Sequence, residues 1–225
     1  MSFFLPIQPP CPSCDTESPM ELVLSVNADR RPQLRLGMLD GTFQRQTCPA
    51  CGATFRPEPE FIYQDVGRGQ WIAVEPVDNL AQWQTLEDKA YATWDRAFGD
   101  RAGGPAREIG EALTPRVTFG WPAVVEKLLC AEHGIDDIHL ELMKMSIIRM
   151  GGSVPMDDTT ELRLARVEGD TLVLGWIEAK AETPVSIIEI PQSGLEGYNT
   201  EAWAPLRAQV SAGLYVDMNR LLAGA

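Results

Sequence analysis

Hydrophobic and polar positions alternate along short stretches of the first third of the chain, as they do in half-buried β-strands. Residues 20–26 show this pattern, and residues 61–64 and 71–74 read as two strands joined across residues 67–69. Residues 30–40 fit a short helix between them. The sequence therefore predicts a small antiparallel sheet in this region.

In the middle of the chain the spacing of apolar residues changes from that of strands to that of helices. One helical face is formed by Leu80, Trp83, Leu86, Ala90, Trp94 and Phe98. Asp78 or Asn79 can cap the start of this helix and Gly99 can end it, before a Gly-rich loop at residues 100–105.

Two further helices are predicted to form a tight hairpin. The first has Pro122 in its first turn and stops at Gly134. The second has Asp136 as its N-cap, with Ile135 able to pack on Leu140.

The clearest internal break is the Gly-Gly-Ser-Val-Pro run at residues 151–155, which is typical of a hinge. Beyond it, alternating residues predict a hairpin about residues 168–170, and residues 185–190 predict a third strand. A C-terminal helix is predicted from an apolar face of Trp203, Leu206, Val210, Leu214, Met218 and Leu221.

The candidate chemistry lies in two Cys-Pro-x-Cys motifs, Cys11-Pro12-Ser13-Cys14 and Cys48-Pro49-Ala50-Cys51. Four thiolates in two such pairs supply the closed tetrahedral shell that zinc takes in structural sites. The 33 residues between the pairs exceed the roughly 15 to 20 of a compact zinc ribbon. Each doubling of the loop length raises the entropic cost of closing the loop by only about 0.6 kcal/mol. We therefore predict that the zinc ligands are Cys11, Cys14, Cys48 and Cys51.

Two other uses of these cysteines compete with zinc. Disulfides need an oxidising compartment, and residues 1–6 lack the basic and apolar regions of a secretory signal. A redox dithiol usually lies at the start of a helix within a βαβ unit. The residues around the two motifs do not predict such a unit.

Together these patterns predict an α+β fold in three parts. A zinc-ribbon-like antiparallel β section occupies residues 1–78, a helical section residues 79–150, and a C-terminal lobe of a small sheet and a helix residues 151–225.

Charge and composition restrict the partners. The net charge is −13, and because residues 1–57 hold as many arginines as acids, all of it lies in the remainder. Such a chain repels nucleic acid, although Arg30, Arg31, Arg35 and Arg45 could form a local basic patch. No apolar stretch reaches the roughly 20 residues of a membrane span, so we expect no membrane and a cytoplasmic protein.

Other residues carry weaker signals for chemistry. Cys130 and His133 could form a thiolate–imidazole pair, but a cysteine beside leucines is more often a small buried apolar residue. Asp136, Asp137 and Glu141 could bind a hard cation, but acids at a helix start are also favoured by capping. Glu141 with Lys144 fits a surface ion pair. We therefore assign no catalytic residues.

Several of these segments together resemble the bacterial CpXC proteins. The likeness rests on the two cysteine motifs, Phe61-Ile62-Tyr63-Gln64-Asp65, Glu126-Lys127, Gly134-Ile135-Asp136-Asp137, Glu141 and Lys144. It covers residues 11 to about 150, and Tyr215-Val216-Asp217 is similar to the family's closing segment. The resemblance implies zinc binding through the four cysteines, and it implies no substrate or reaction.

Three classes of function follow. The first is a zinc-stabilised interaction or scaffold protein with a protein partner. The second is a nucleic-acid or transcription-associated zinc ribbon, which would use Arg30, Arg31 and Arg35. The third is a dithiol oxidoreductase, in which one cysteine pair cycles while the protein stays folded.

Overall fold

The computed structural model describes residues 2–151, 160–178, 180 and 182–222, and these form an α+β fold, as predicted. The strands are β1 Phe3–Ile7, β2 Met20–Asn27, β3 Gln46–Thr47, β4 Thr54–Phe55, β5 Phe61–Asp65, β6 Gln70–Glu75, β7 Thr114–Phe119, β8 Thr160–Glu168, β9 Thr171–Glu178 and β10 Thr183–Pro191. The α-helices are α1 Pro32–Leu39, α2 Trp83–Phe98, α3 Gly104–Glu111, α4 Gly120–His133, α5 Asp137–Arg149, α6 Ala204–Val210 and α7 Asn219–Leu222. Short 3₁₀ helices occupy Val77–Gln82, Gln192–Asn199 and Glu201–Trp203.

The largest sheet has five strands in the order β1-β2-β5-β6-β7, and it is mixed, where the sequence predicted an antiparallel sheet. β1 with β2 and β5 with β6 are antiparallel, whereas β2 with β5 and β6 with β7 are parallel. The reason lies in the connections. The chain reaches β5 from β2 through α1, and reaches β7 from β6 through α2 and α3, and such crossovers join parallel strands.

Helices cover both faces of this sheet around β6. Trp71 and Ala73 face a core that includes Trp83 of α2. Ile72 and Val74 face a second core that includes Val124 of α4. Because both of its faces are buried, β6 reads as an almost continuous apolar run.

The predicted hairpin of helices is confirmed. Gly134 ends α4 with φ of 63°, a conformation that a residue without Cβ adopts readily. The Asp136 side chain accepts hydrogen bonds from the N–H groups of Ile138 and His139 and so caps α5. Ile135 and Leu140 lie in the same buried cluster.

The helix predicted at residues 80–98 is confirmed except at its start. α2 begins at Trp83 and ends before Gly99, as expected. Asp78 and Asn79 do not cap it, because they lie inside the preceding 3₁₀ helix Val77–Gln82. The predicted loop at residues 100–105 already contains the first two residues of α3.

The three C-terminal strands are confirmed as an antiparallel sheet in the order β10-β9-β8. Its apolar residues pack against α4 and α5, in a third core that includes Leu162, Leu174 and Met143. Of the predicted hinge, Gly151 follows α5 with φ of 62°, and residues 152–155 lie outside the described part of the chain.

The prediction of one continuous C-terminal helix is wrong. α6 ends at Val210, and residues 214–218, which we call the C-terminal strap, enter the core without forming a helix. The Leu214 carbonyl accepts from the Val117 N–H at 3.0 Å, and the Tyr215 N–H donates to Glu87 at 2.7 Å. Side chains and strands elsewhere in the chain hydrogen-bond to the backbone N–H and C=O groups of the strap, so these groups do not require helical hydrogen bonds.

Among the described residues, no helix combines the length and the apolar character that crossing a bilayer requires.

The cap of α5 gives the first test. Replacing Asp136 by Ala should lower the free energy of unfolding by about 1 kcal/mol, because two N–H groups at the helix start lose their acceptor. Asp136→Asn keeps an acceptor oxygen and should lose much less. Urea denaturation of both variants measures the difference, and equal losses would contradict the capping role.

Candidate metal centre and a buried charge network

The two cysteine motifs adopt similar turns. The first follows β1, and the Asp15 N–H donates to the Cys11 carbonyl at 2.9 Å. The second joins β3 to β4, and the Gly52 N–H donates to the Cys48 carbonyl at 3.0 Å. Gly52 has φ of 74° and Asp15 has φ of 57°, so the second turn uses the residue that tolerates this conformation at lower cost.

The two turns bring the four thiols together. The Sγ atoms of Cys11 and Cys51 are 3.7 Å apart and those of Cys14 and Cys48 are 3.6 Å apart. All four Sγ atoms lie within 4.8 Å of one another. Ligands at about 2.3 Å from a tetrahedral ion are separated by roughly 3.8 Å, so the cluster can hold one metal ion. A disulfide bond of about 2.05 Å is excluded for these pairs, and all five cysteines are free.

The environment of the cluster is half buried. Cys11 and Cys48 are buried, whereas Cys14 and Cys51 face solvent. Hydrogen bonds with Thr16 lower the pKa of Cys14 to about 6. The Ala53 backbone N–H acts in the same direction on Cys51, but the neighbouring thiols and burial outweigh it and raise the pKa of Cys51 to about 12.

Arg56, which follows β4 directly, connects the cysteine cluster to the rest of the molecule. Its guanidinium carbon lies 3.4 Å from the centre of the Trp121 ring in α4. Its Nε donates to the Phe43 carbonyl and its Nη1 to Glu182, both at 2.7 Å. The hairpin that carries the second motif is therefore fixed to α4 and to the turn before β10.

A second group of polar residues lies in the interior, where the sequence predicted none. Its nine members, which we call the charge network, are joined by ion pairs that alternate in sign as far as Arg163, which pairs with both of the last two: Arg116, Asp137, Lys127, Glu141, Lys144, Glu126, Arg163, Asp217 and Glu161.

Lys144 is the centre of the charge network. Its Nζ lies 2.9 Å from Glu126 and 2.8 Å from Glu141, and none of the three side chains is exposed to solvent. The prediction of a Glu141–Lys144 surface pair is therefore wrong, because helical spacing does not reveal which face of α5 is covered. Burial opposes the charge on Glu126, but Lys144 and Arg163 outweigh it and lower its pKa.

Arg163 extends the charge network into the C-terminal sheet and the strap. Its Nη1 lies 3.1 Å from Glu126 and 2.5 Å from Asp217, and its Nη2 lies 2.7 Å from Glu161. Burial opposes ionisation of Asp217, but Arg163 and Lys144 lower its pKa to about 2. The charge network thus joins β8 to the strap through paired charges.

Lys127 forms the other arm of the charge network. Its Nζ lies 3.0 Å from Asp137 and 3.6 Å from Glu141, and donates to the Val216 carbonyl at 2.7 Å. Arg116 binds Asp137 through two nitrogens, at 2.8 and 3.0 Å. Asp137 and Glu141 are therefore paired with cationic side chains, and Asp136 is the helix cap, which disfavours a hard-cation site here.

The other predicted sites are not assembled. Cys130 lies in the core, where burial raises its pKa well above the usual value and keeps the thiol protonated, while His133 is exposed. Arg35 is buried, pairs with Glu132 at 2.7 Å and donates to the Leu128 carbonyl at 3.1 Å. Arg30 is exposed, but the burial of Arg35 removes one member from the predicted arginine patch.

Sequence reasoning missed Arg116 and Arg163 as parts of an interior site. Glu126 and Lys127 did carry a signal, because they interrupt an apolar helical run between Val125 and Leu128. Charged residues inside such a run are buried only when they are paired.

Comparison with known proteins gives the family. The model of the CpXC protein family matches residues 10–144, which is more than half of the chain, and the chain belongs to this family. The match includes all four clustered cysteines and six members of the charge network. Comparison with curated proteins gives no match, and comparison with solved structures gives none either.

The charge network gives the second test. Lys144→Met should lower the free energy of unfolding by about 3 to 5 kcal/mol, because Glu126 and Glu141 lose a shared buried cation. The matched control is Lys89→Met, which removes an exposed lysine 3.7 Å from Glu75 and should cost less than about 1 kcal/mol. Denaturation curves of both variants measure the two free energies of unfolding. Similar decreases in the two variants would contradict a stabilising role for the network.

Proposed function

We propose that this CpXC protein binds one zinc ion through Cys11, Cys14, Cys48 and Cys51, that the metal is structural, and that the protein acts as an interaction or scaffold protein. The observation that carries the proposal is the convergence of four thiols, all within 4.8 Å of one another, from turns 33 residues apart in sequence.

Zinc is favoured by the chemistry of the donors. Thiolate sulfur is a soft ligand, and a tetrahedral set of four is typical of zinc in structural sites. With four protein ligands the coordination shell is closed, and no position remains for a water molecule or a substrate. Such a thiol set suits a reducing compartment such as the cytoplasm.

A structural role is supported by what the cysteines enclose. The segment between the two motifs contains β2 and α1, which contribute Val23, Val26 and Met38 to a core shared with α4. An ion bound by both motifs closes this segment at its ends. Through Arg56, the β3–β4 hairpin then contacts Trp121 and Glu182, so an ordered hairpin also holds these residues in place.

The exposed tips of the two motifs are the proposed contact surface for a partner. Pro12, Ser13, Pro49 and Ala50 are all exposed and carry no charge. Four thiolates around a zinc ion leave a charge of about −2 beside them, which favours a protein partner over a polyanion.

The two alternatives have less support. A nucleic-acid ribbon would need the arginines near residue 30, and Arg35 is buried in ion pairs. A dithiol oxidoreductase would need contact within one Cys-x-x-Cys motif, whereas the contacts at 3.6 and 3.7 Å both join one motif to the other.

Metal content tests the zinc proposal. Protein purified without added metal should contain one zinc per chain, and a chelator should free four thiols and unfold the N-terminal part. Cys48→Ser should lose the metal, and the matched control Cys130→Ser should keep it, because Cys130 lies in a different core. Metal-free protein whose thiols oxidise reversibly in pairs would contradict the zinc proposal and support the oxidoreductase.

The proposed contact surface has a separate test. Ala50→Lys places a charge on the exposed tip without touching a ligand, so zinc content should be unchanged while capture of the partner from lysate falls at least tenfold. Ser193→Lys, an exposed change in the C-terminal part, is the matched control and should leave capture unchanged. If both variants retain the captured protein equally, the tips are not the interface.

A further inference from the structure

One cavity combines apolar walls with two arginine side chains, and we call it the arginine cavity. Its volume is about 300 Å³, at the lower end of the range for small-molecule sites. Its walls come from the end of α1, the first turns of α4, strands β8 and β9, and the turn before β10. Within the described part of the chain, its charged lining residues are Asp40, Arg45, Arg56 and Glu182. The cysteines of the metal cluster do not line it, so its use as a site does not depend on the metal.

Arg56 is the buried charged residue of the arginine cavity. Its side chain is only 2% exposed, and its guanidinium carbon lies 3.4 Å from the centre of the Trp121 ring. Stacking on a ring leaves the N–H groups in the guanidinium plane to find acceptors. Nε donates to the Phe43 carbonyl and Nη1 to Glu182, but Nη2 is buried without a hydrogen-bond partner among the described residues. Unsatisfied N–H donors on a buried charged group are costly, and a ligand with an acceptor removes that cost.

The paired charges around Arg56 do not balance. The Glu182 carboxylate lies 2.7 Å from Arg56 Nη1 and 3.6 Å from Arg45 Nη2, so two arginines share one carboxylate. Asp40 also lines the cavity, but it is exposed and its Oδ1 accepts two hydrogen bonds from Thr42, so water screens its charge. Burial lowers the pKa of the Arg56 guanidinium to about 10, although Glu182 opposes the shift. The buried part of the cavity can therefore accept one more negative charge.

The rest of the lining is mainly apolar. Met38 comes from α1, Val125 from α4, Leu164 and Ala165 from β8, and Ile177 from β9. Apolar walls with a few polar groups are typical of sites that bind small molecules. A ligand that fills the arginine cavity therefore needs an apolar body as well as an acceptor group.

We propose that the arginine cavity binds a small carboxylic acid that carries an apolar body. The carboxylate accepts a hydrogen bond from Arg56 Nη2 and gives Arg45 a counter-charge of its own, while the apolar body packs against Val125 and Ile177. A hydrogen bond between a guanidinium and a carboxylate is roughly twice as strong as one between neutral groups.

A single negative charge fits this cavity better than none or two. Glu182 already lies 2.7 Å from Arg56, so it repels a dianion such as phosphate more strongly than a carboxylate. A neutral ligand leaves the two arginines with one carboxylate between them.

Binding of hexanoate to the full chain tests the proposal. Acetate lacks the apolar chain of hexanoate, and hexanol lacks its charge, so both are matched control ligands. The Trp121 ring lines the cavity, and its indole N–H signal in ¹H–¹⁵N NMR spectra reports binding there. Hexanoate should shift this signal saturably, with a Kd roughly tenfold or more below those of acetate and hexanol. No saturable shift with hexanoate, or equal binding of hexanol, would overturn the proposal.

Two variants test the two halves of the arginine cavity. Arg56→Lys keeps the positive charge but removes the Nη2 donors, so the Kd for hexanoate should rise roughly tenfold or more. Ala165→Phe fills the apolar part without changing an arginine and should abolish binding. Ala208→Phe, the same substitution at an exposed position of α6, is the matched control and should leave the Kd unchanged.

The variants are interpreted by their hexanoate affinity relative to the unmodified chain. Unchanged affinity in Ala165→Phe would overturn the proposal, whatever the result for Arg56→Lys. If neither variant folds, the comparison of hexanoate with hexanol on the unmodified chain decides, because it requires no substitution.

Discussion

Lys144 and Glu126 have no contact with solvent, and the need to pair both charges determines how four parts of the chain meet. Glu126 comes from α4, Lys144 from α5 and Arg163 from β8, and the strap adds Asp217. A hydrophobic core tolerates small changes in the angle between helices, whereas hydrogen-bonded charges tolerate few. The charge network therefore specifies one arrangement of these elements, even where apolar contacts would allow several.

The cysteine cluster stabilises a different part of the molecule, the short turns that carry the two motifs. The two motifs lie in short turns, and β3 and β4 have two residues each, too short to be stable alone. The thiols of the two turns converge in one cluster. The contact of Arg56 with the Trp121 ring connects this cluster to α4. α4 is thus the element that both regions share, since it carries Trp121 near its start and Glu126 and Lys127 one to two turns later.

Local signals allowed much of the fold and of the metal site to be predicted. The spacing of the four cysteines, the αL glycine at Gly134 and the cap at Asp136 each depend on a few neighbouring residues, and each was predicted with its location. Arg163 is different, because its buried partners Glu126 and Asp217 are 37 and 54 positions away in sequence, and an alternating strand pattern assigns it to solvent. The helix predicted through the strap failed for the same reason. Apolar spacing fits a helix there, but distant groups such as Val117 and Lys127 bind its backbone.

The strap also constrains the order in which the protein can mature. Lys127 and the Val216 carbonyl are 89 positions apart, so during synthesis α4 is complete well before its partner exists. At a translation rate of about 5 to 20 residues per second, the interval is roughly 4 to 18 seconds. Asp137 and Lys144 of α5 can pair with Lys127 and Glu126 during that time, whereas the Val216 carbonyl and Asp217 cannot yet take part. The contacts of the strap are therefore the last part of the charge network that can form on the growing chain.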